Sequence, residues 1–408
     1  MSGDNVIRNY GSVQPHIPVT HKSSVSPAVK SDAGAEVKPQ ADSFSPGETR
    51  TTENLKRPVM PAASEQAAFT REEDDSAYVS DFVKNATKPI VTEFSIFKSV
   101  RGKEGKEGNN DPNVINIIHT NDLHGKLAPK DGKSGMAYVA GKIDQLRQQD
   151  PDFILVDAGD IAYNPPYSDN NRFNPMVDIM NDIGYDVLGA GNHEFQWEAG
   201  KYGGPDGNPN KNLTDNMREL AKDLKFPVIC ANAVMADTGK QPDFLKPYII
   251  KKVGNVNVGV VGVVNRKMAT DAHPQVGENW KIKDQSETLK EMIPKMKAEG
   301  ADVIVVLAHD NLNNNQAFIR NTPGIDVVVG AHDHQTVGTP IEVKDPTGKS
   351  VPLVEAGSHG YMVGNLRVEV DPKSKQVTKI TSTLYPVLTS EVKPDPEVSA
   401  IVDKWKKG

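Results

Sequence analysis

Carboxylates and imidazoles recur in this chain in close pairs, each just after a run of branched apolar residues. Asp122 and His124 close IIHTNDLHG, and Asp157 and Asp160 close FILVDAGD. Asn192 and His193 follow VLGAG, His309 ends VIVVLAH, and His332 and His334 end VVVGAHDH. Six of the ten histidines lie in or beside these endings. Carboxylate and amide oxygens mixed with imidazole nitrogens suit Mn, Zn or Fe, not a thiolate site. The pool exceeds what one tetrahedral ion needs, and two ions sharing a carboxylate would use most of it. Two metals about 3.5–4 Å apart form the usual clamp for in-line attack on a phosphoryl centre.

Each fragment alone is weaker than the set. An isolated Asp-x-His is more often a turn than a ligand pair, and the Gly-Asn of GNHE favours a tight turn in any case. The histidines of His-Asp-His share a direction only if the backbone is extended there. Their repetition, each after a buried strand, argues for one site. Asp157, ahead of the tight Ala-Gly-Asp turn, is expected to brace that loop and not to bind metal.

The elements that must position these groups are legible as well. VINIIH, DFILVDAG, DVLGAG, PVICANA, VNVGVVGVV, DVIVVLAH and DVVVGAH have the length and composition of buried strands. Helical stripes separate many of them: Met136, Val139, Ile143 and Leu146; Leu213, Met217, Leu220 and Leu224; Leu289, Met292, Ile293 and Met296. Buried strands alternating with amphipathic helices predict an α/β domain. In such folds ligands bind beyond the carboxyl ends of the strands, where all five polar endings can converge. VPLVEAG, NLRVEV and QVTKITSTLYPV read as antiparallel strands, and PEVSAIVDKWKKG as a last helix.

The 408 residues carry a formal charge of −7, 29 prolines and one cysteine, Cys230. Nothing reads as a basic footprint for polymeric nucleic acid, and no apolar run has the roughly 18–20 residues of a membrane helix. One cysteine forms no internal disulfide and leaves the redox compartment open. The first residues lack a basic-then-apolar leader, which makes a cytoplasmic location the default expectation. Residues 1–112 are read as a mostly disordered extension and linker that could engage a partner, with a short helix at SAYVSDFVKNA and a short strand at VTEFSIF. Residues 113–390 are read as the catalytic domain and 391–408 as a terminal helix.

Together HTNDLHG, DAGD, GNHEF, LAH, GAHDH and EAGSHGYMVG resemble the calcineurin-like metallophosphoesterases, over about residues 114–386. More narrowly, they resemble the bacterial 5'-nucleotidase/UDP-sugar hydrolase/2',3'-cyclic phosphodiesterase family. The resemblance implies a four-layer α/β/β/α sandwich holding two divalent ions. Asp122, His124 and His334 would hold the first ion, and Asn192, His309 and His332 the second. Asp160 would bridge them. A hydroxide shared by the metals would attack phosphorus in line, with His193 stabilising the charge that develops.

The implied substrate is a small phosphate ester, first of all a nucleoside 5'-monophosphate. A cyclic-nucleotide diesterase, a sugar-nucleotide pyrophosphatase and a degenerate metal- or nucleotide-binding protein are the alternatives. Two departures motivate the last. Gln196 stands where the family commonly has an aspartate that orients the motif's histidine, with Glu198 as its possible substitute. In addition, the aromatic clamp of the family's C-terminal substrate domain has no counterpart here, and the final helix resembles the one that leads into that domain. His359, in AGSHG, aligns with a loop near the metals and is an expected neighbour of the ligands.

Overall fold

A computed structural model describes residues 86–95, 111–161, 175–195, 213–268 and 274–407. In chain order the strands are β1 (Ile90–Ser95), β2 (Val114–Thr120), β3 (Phe153–Asp157), β4 (Val187–Gly189), β5 (Val228–Ile229), β6 (Ala233–Met235), β7 (Tyr248–Val253) and β8 (Val256–Val264). They continue with β9 (Trp280–Ile282), β10 (Val303–His309), β11 (Val327–Ala331), β12 (Ile341–Lys344), β13 (Ser350–Val354), β14 (Met362–Val370) and β15 (Val377–Pro386). The helices are α1 (Met136–Gln149), α2 (Pro175–Ile183), α3 (Asn192–Phe195), α4 (Leu213–Asp223), α5 (Pro274–Asn279), α6 (Gln285–Ala298), α7 (Leu312–Asn321) and α8 (Pro396–Lys407).

The strands form a seven-stranded sheet, β1-β15-β14-β2-β3-β4-β5, a six-stranded sheet, β12-β13-β11-β10-β8-β7, and a small ribbon, β6-β9. β2 to β5 run parallel in the first sheet, as do β8, β10, β11 and β13 in the second. Side-chain alternation sorts each buried strand between two cores. Ile115, Ile117, Ile154 and Val156 of the first sheet meet Val303, Val305, Val327 and Val329 of the second in an aliphatic layer. Ile118 and Leu155 point the other way, onto α1, α2 and α8. Ile304 and Val306 point outward onto Leu289, Ile293 and Met296 of α6 and Phe318 of α7. The result is four layers, helices–sheet–sheet–helices, as expected.

Local chemistry sets the helix starts. The Asp284 carboxylate accepts the N–H of Glu287 to cap α6, and Asn311 does the same for α7 through Asn314. β1 lies inside the segment 1–112 read as an extension, yet it is the edge of the first sheet, paired antiparallel with β15 from Ile90↔Leu384 to Ser95↔Lys379. α8 puts Val398 and Val402 into the first helical core, so the last residues belong to the same packed body. The helix expected at 76–86 lies outside the described residues, Ala86 apart. Among the described residues no helix is long and apolar enough to cross a membrane.

Candidate metal centre

The two parallel sets of strands end along one rim, and the turns that follow carry the polar residues. Asp122 and His124 follow β2, Asp160 follows β3, and Asn192 and His193 open α3 just after β4. His309 ends β10, and His332 and His334 follow β11. The first sheet thus supplies one side of the site and the second sheet the other. Asp122, His124, Asp160, His332 and His334 all have left-handed backbone, with φ of 49°, 49°, 60°, 86° and 55°. Non-glycine residues held there cost about 1–3 kcal/mol each and cluster where function demands the geometry.

Three groups of donors converge, each with its ligand atoms within 4.8 Å of one another: Asp122, His124 and His334; His124, Asp160 and His193; Asp160, His309 and His332. His124 Nε2 lies 2.8 Å from His334 Nε2, and both lie near Asp122 Oδ1, at 3.7 and 3.6 Å. On the other side Asn192 Oδ1 sits 3.2 Å from His309 Nε2 and 3.0 Å from His332 Nδ1. Asp160 Oδ2 lies between, 3.0 Å from His309 Nε2 and 3.8 Å from His193 Nε2. Gly191 makes the close approach possible, because a Cβ there would fall 2.2 Å from Asp160 Oδ1 and 2.7 Å from His309 Cε1.

This donor set fits divalent cations. His309 Nδ1 lies 2.9 Å from the Ala158 carbonyl, which can only accept, so Nδ1 carries the proton and Nε2 is left to face the site. Burial pushes Asp122 up to about 8, so the surrounding protein supplies too little positive charge to hold its carboxylate ionised. Burial acts on Asp160 in the same direction, but the charges of His309 and His193 outweigh it and hold the carboxyl well below its usual range. His309 is correspondingly raised to about 10, burial being overcome by Asp160. A cation beside Asp160 would take over the role that the imidazolium plays without it.

Supporting bonds fix the turns. Asp157 accepts Thr120 Oγ1 at 2.5 Å and the Gly159 N–H at 2.8 Å, and Thr120 Oγ1 also meets Tyr185 Oη at 2.9 Å. Asp157 is thus placed as a brace of the loop. His359 (φ 57°) donates its backbone N–H to the Asp122 carbonyl at 2.7 Å, and its ring lies 5.5 Å from that of His124. Gln196 and Glu198 lie outside the described residues.

Two supporting residues were not singled out from the sequence. Glu194, fully buried, accepts the N–H groups of Gly191, Asp160 and Ile161 at 2.6, 2.9 and 2.9 Å. Asn121 Nδ2 donates to Asp122 Oδ2 at 2.7 Å. Their presence inside GNHE and TNDLH was the available signal.

A family profile for calcineurin-like phosphoesterase matches residues 115–336, which span all seven expected ligands. The chain belongs to this family. Members hold divalent metals, in keeping with the donor groups described above. A 5'-nucleotidase of Bos taurus is 28% identical over 318 residues, 72% of this chain and 52% of the relative. The chain therefore spans about half the length of the curated relatives it matches. Among solved structures, a 5'-nucleotidase precursor from Thermus thermophilus aligns with a TM-score of 0.62 at 23% identity, over 72% of this chain and 58% of that one. A calcineurin-like phosphoesterase from Bacillus subtilis aligns at 0.59 and 24% identity, over 72% of this chain and 97% of that one. These two likenesses establish the shared fold.

Proposed function

We propose that the phosphoesterase domain is a two-metal hydrolase of phosphate monoesters, with nucleoside 5'-monophosphates as first substrates. The observation that carries this reading is the place of Asp160. It shares one donor group with His309 and His332 and another with His124, which in turn groups with Asp122 and His334, so this carboxylate lies beside both proposed ion positions. Asp122, His124 and His334 would hold one ion, and Asn192, His309 and His332 the other. When bound, such ions supply Lewis-acid charge to the phosphoryl oxygens and lower the pKa of water towards about 7.

The chain's own residues do the rest. The left-handed turns at Asp122, His124 and His332 aim their donors inward, and Glu194 keeps the Asp160 and Asn192 turns in contact. His193, on α3 beside Asn192, has Nε2 3.8 Å from Asp160 Oδ2, where its N–H would stabilise charge developing on phosphoryl oxygen. Curated relatives carrying the name 5'-nucleotidase support the choice of substrate.

The test is phosphate release from a panel of nucleotides by metal-stripped protein reloaded with Mn²⁺ or Zn²⁺, with Asp160→Ala in parallel. Metal-dependent release that Asp160→Ala abolishes is the expected result. Two ions bound per chain without release from any member of the panel would sink it.

A further inference from the structure

Glu355 has no part in the chemistry proposed above, yet it is fully buried directly after β13. Its Oε1 accepts the N–H of Gln335, the residue after His334, at 2.7 Å. The Val337 N–H reaches the Glu355 carbonyl at 3.0 Å, and the Gly357 N–H reaches the Gln335 carbonyl at 2.9 Å. Thr336 and Ala356 close an antiparallel bridge between them. The same short segment also grips the other ligand loop. The Ala356 N–H donates to Asn121 Oδ1 at 2.9 Å, and Asn121 Nδ2 donates to the Gly357 carbonyl at 2.5 Å and to Asp122 Oδ2. Residues 355–357 therefore lace the turn carrying His334 to the residue beside Asp122.

That turn has a strained backbone at both His332 and His334 and keeps its shape only while its surroundings over-determine it. Among the described residues Glu355 Oε2 and Asn315 Oδ1 have no hydrogen-bond partner, and the two side chains flank Gly330. A Cβ at Gly330 would lie 3.4 Å from Glu355 Oε2 and 3.3 Å from Asn315 Nδ2. Burial first raises the Glu355 carboxyl well above its usual range. Glutamine has the same reach and keeps an acceptor oxygen for the Gln335 N–H.

We propose that Glu355 is a positioning residue: through the Gln335 N–H it fixes the 332–335 turn so that His334 meets Asp122 and His124. The proposal rests on the metal-centre reading of those three residues. Its test compares Glu355→Gln with Glu355→Asp, which keeps the carboxyl but falls one methylene short. Hydrogen exchange at the Gln335 amide is read in metal-free protein, and Co²⁺ affinity is read from the visible absorption of the bound ion.

Wild type and Glu355→Gln should both protect the amide and agree in Co²⁺ affinity within about twofold, whereas Glu355→Asp should open it and lose about 10–100-fold in affinity. A Glu355→Asp protein that matches wild type, an opened amide with unchanged Co²⁺ affinity, or a Glu355→Gln protein that behaves like the aspartate variant would overturn the proposal. If Gln335 is protected in wild type and opened in Glu355→Asp, yet wild type takes up no Co²⁺, the hold of Glu355 on the turn stands and the metal reading falls.

Discussion

At the scale of single residues, the groups that do chemistry and the groups that hold them behave differently in the sequence. Asp122, His124, Asp160, Asn192, His309, His332 and His334, the proposed ligands, could be read from residue type and position, because a candidate ligand advertises itself by its donor atom. Asn121 and Glu355 were legible only as members of TNDLH and EAGSHG, not by what they hold. Most of their partners are backbone groups up to 236 positions away, such as Asn121 with Gly357, and no local pattern announces such a pairing. His193 stands between the two classes, beside a ligand and free of the strained turns. Replacing it with glutamine should lower kcat by about 10²–10⁴, the contribution typical of a positioned proton-transfer group, and leave the number of bound ions unchanged. Steady-state kinetics alongside metal analysis of the same samples checks this. Loss of an ion from His193→Gln would instead make His193 a ligand.

At the scale of elements, the strands buried on both faces were legible as apolar runs and β14 and β15 as alternating ones, whereas the edge strands β7 and β12 were not. β2, β8, β10 and β11 are runs of Val, Ile and Leu, which a strand packed on both faces requires. β7 carries Lys251 and Lys252 and is mostly half-buried at a sheet edge, and β12 alternates apolar with charged residues. Neither looks like a core strand in isolation. β2 also holds a residue whose burial is costly. His119 is fully buried, neither ring nitrogen has a hydrogen-bond partner among the described residues, and Gly364 opposite leaves room for the ring, since a Cβ there would overlap His119 Nε2.

Burial lowers His119 to about 4. Between that value and its ordinary 6.5 the unfolded chain takes up a proton and the folded chain does not, so stability rises with pH across that window. The slope from one such group is at most about 1.4 kcal/mol per pH unit. Urea unfolding from pH 4 to 7 should show this slope in wild type and a shallower one in His119→Leu. Equal slopes would mean that the ring is protonated or hydrated in the fold.

At the scale of the whole molecule, an α/β domain follows from the order of elements and the four layers from the family resemblance, while the edges needed the structure. β1 comes from the segment preceding residue 113, and α8 folds back onto α1 and α2, where Trp405 Nε1 meets Asp178 Oδ2 at 3.3 Å. Loading with metal should stabilise the entire body. At free Mn²⁺ 100-fold above its dissociation constant the native state gains about 2.7 kcal/mol, several degrees in Tm for a domain of this size. Calorimetry before and after chelation measures it, and an unchanged Tm at saturating Mn²⁺ would count against a site formed only in the folded chain.

The donors come from both sheets, and the layer between the sheets is otherwise closed by aliphatic side chains. Across that seam run the approach of His309 Nε2 to Asp160 Oδ2 at 3.0 Å and the bond from the His332 N–H to Asp122 Oδ2 at 3.0 Å. An ion seated between Asp160 and His309 would act mechanically as a rivet at one rim of a laminate, adding to the His332–Asp122 bond there, and the stiffness of that rim would then depend on its occupancy.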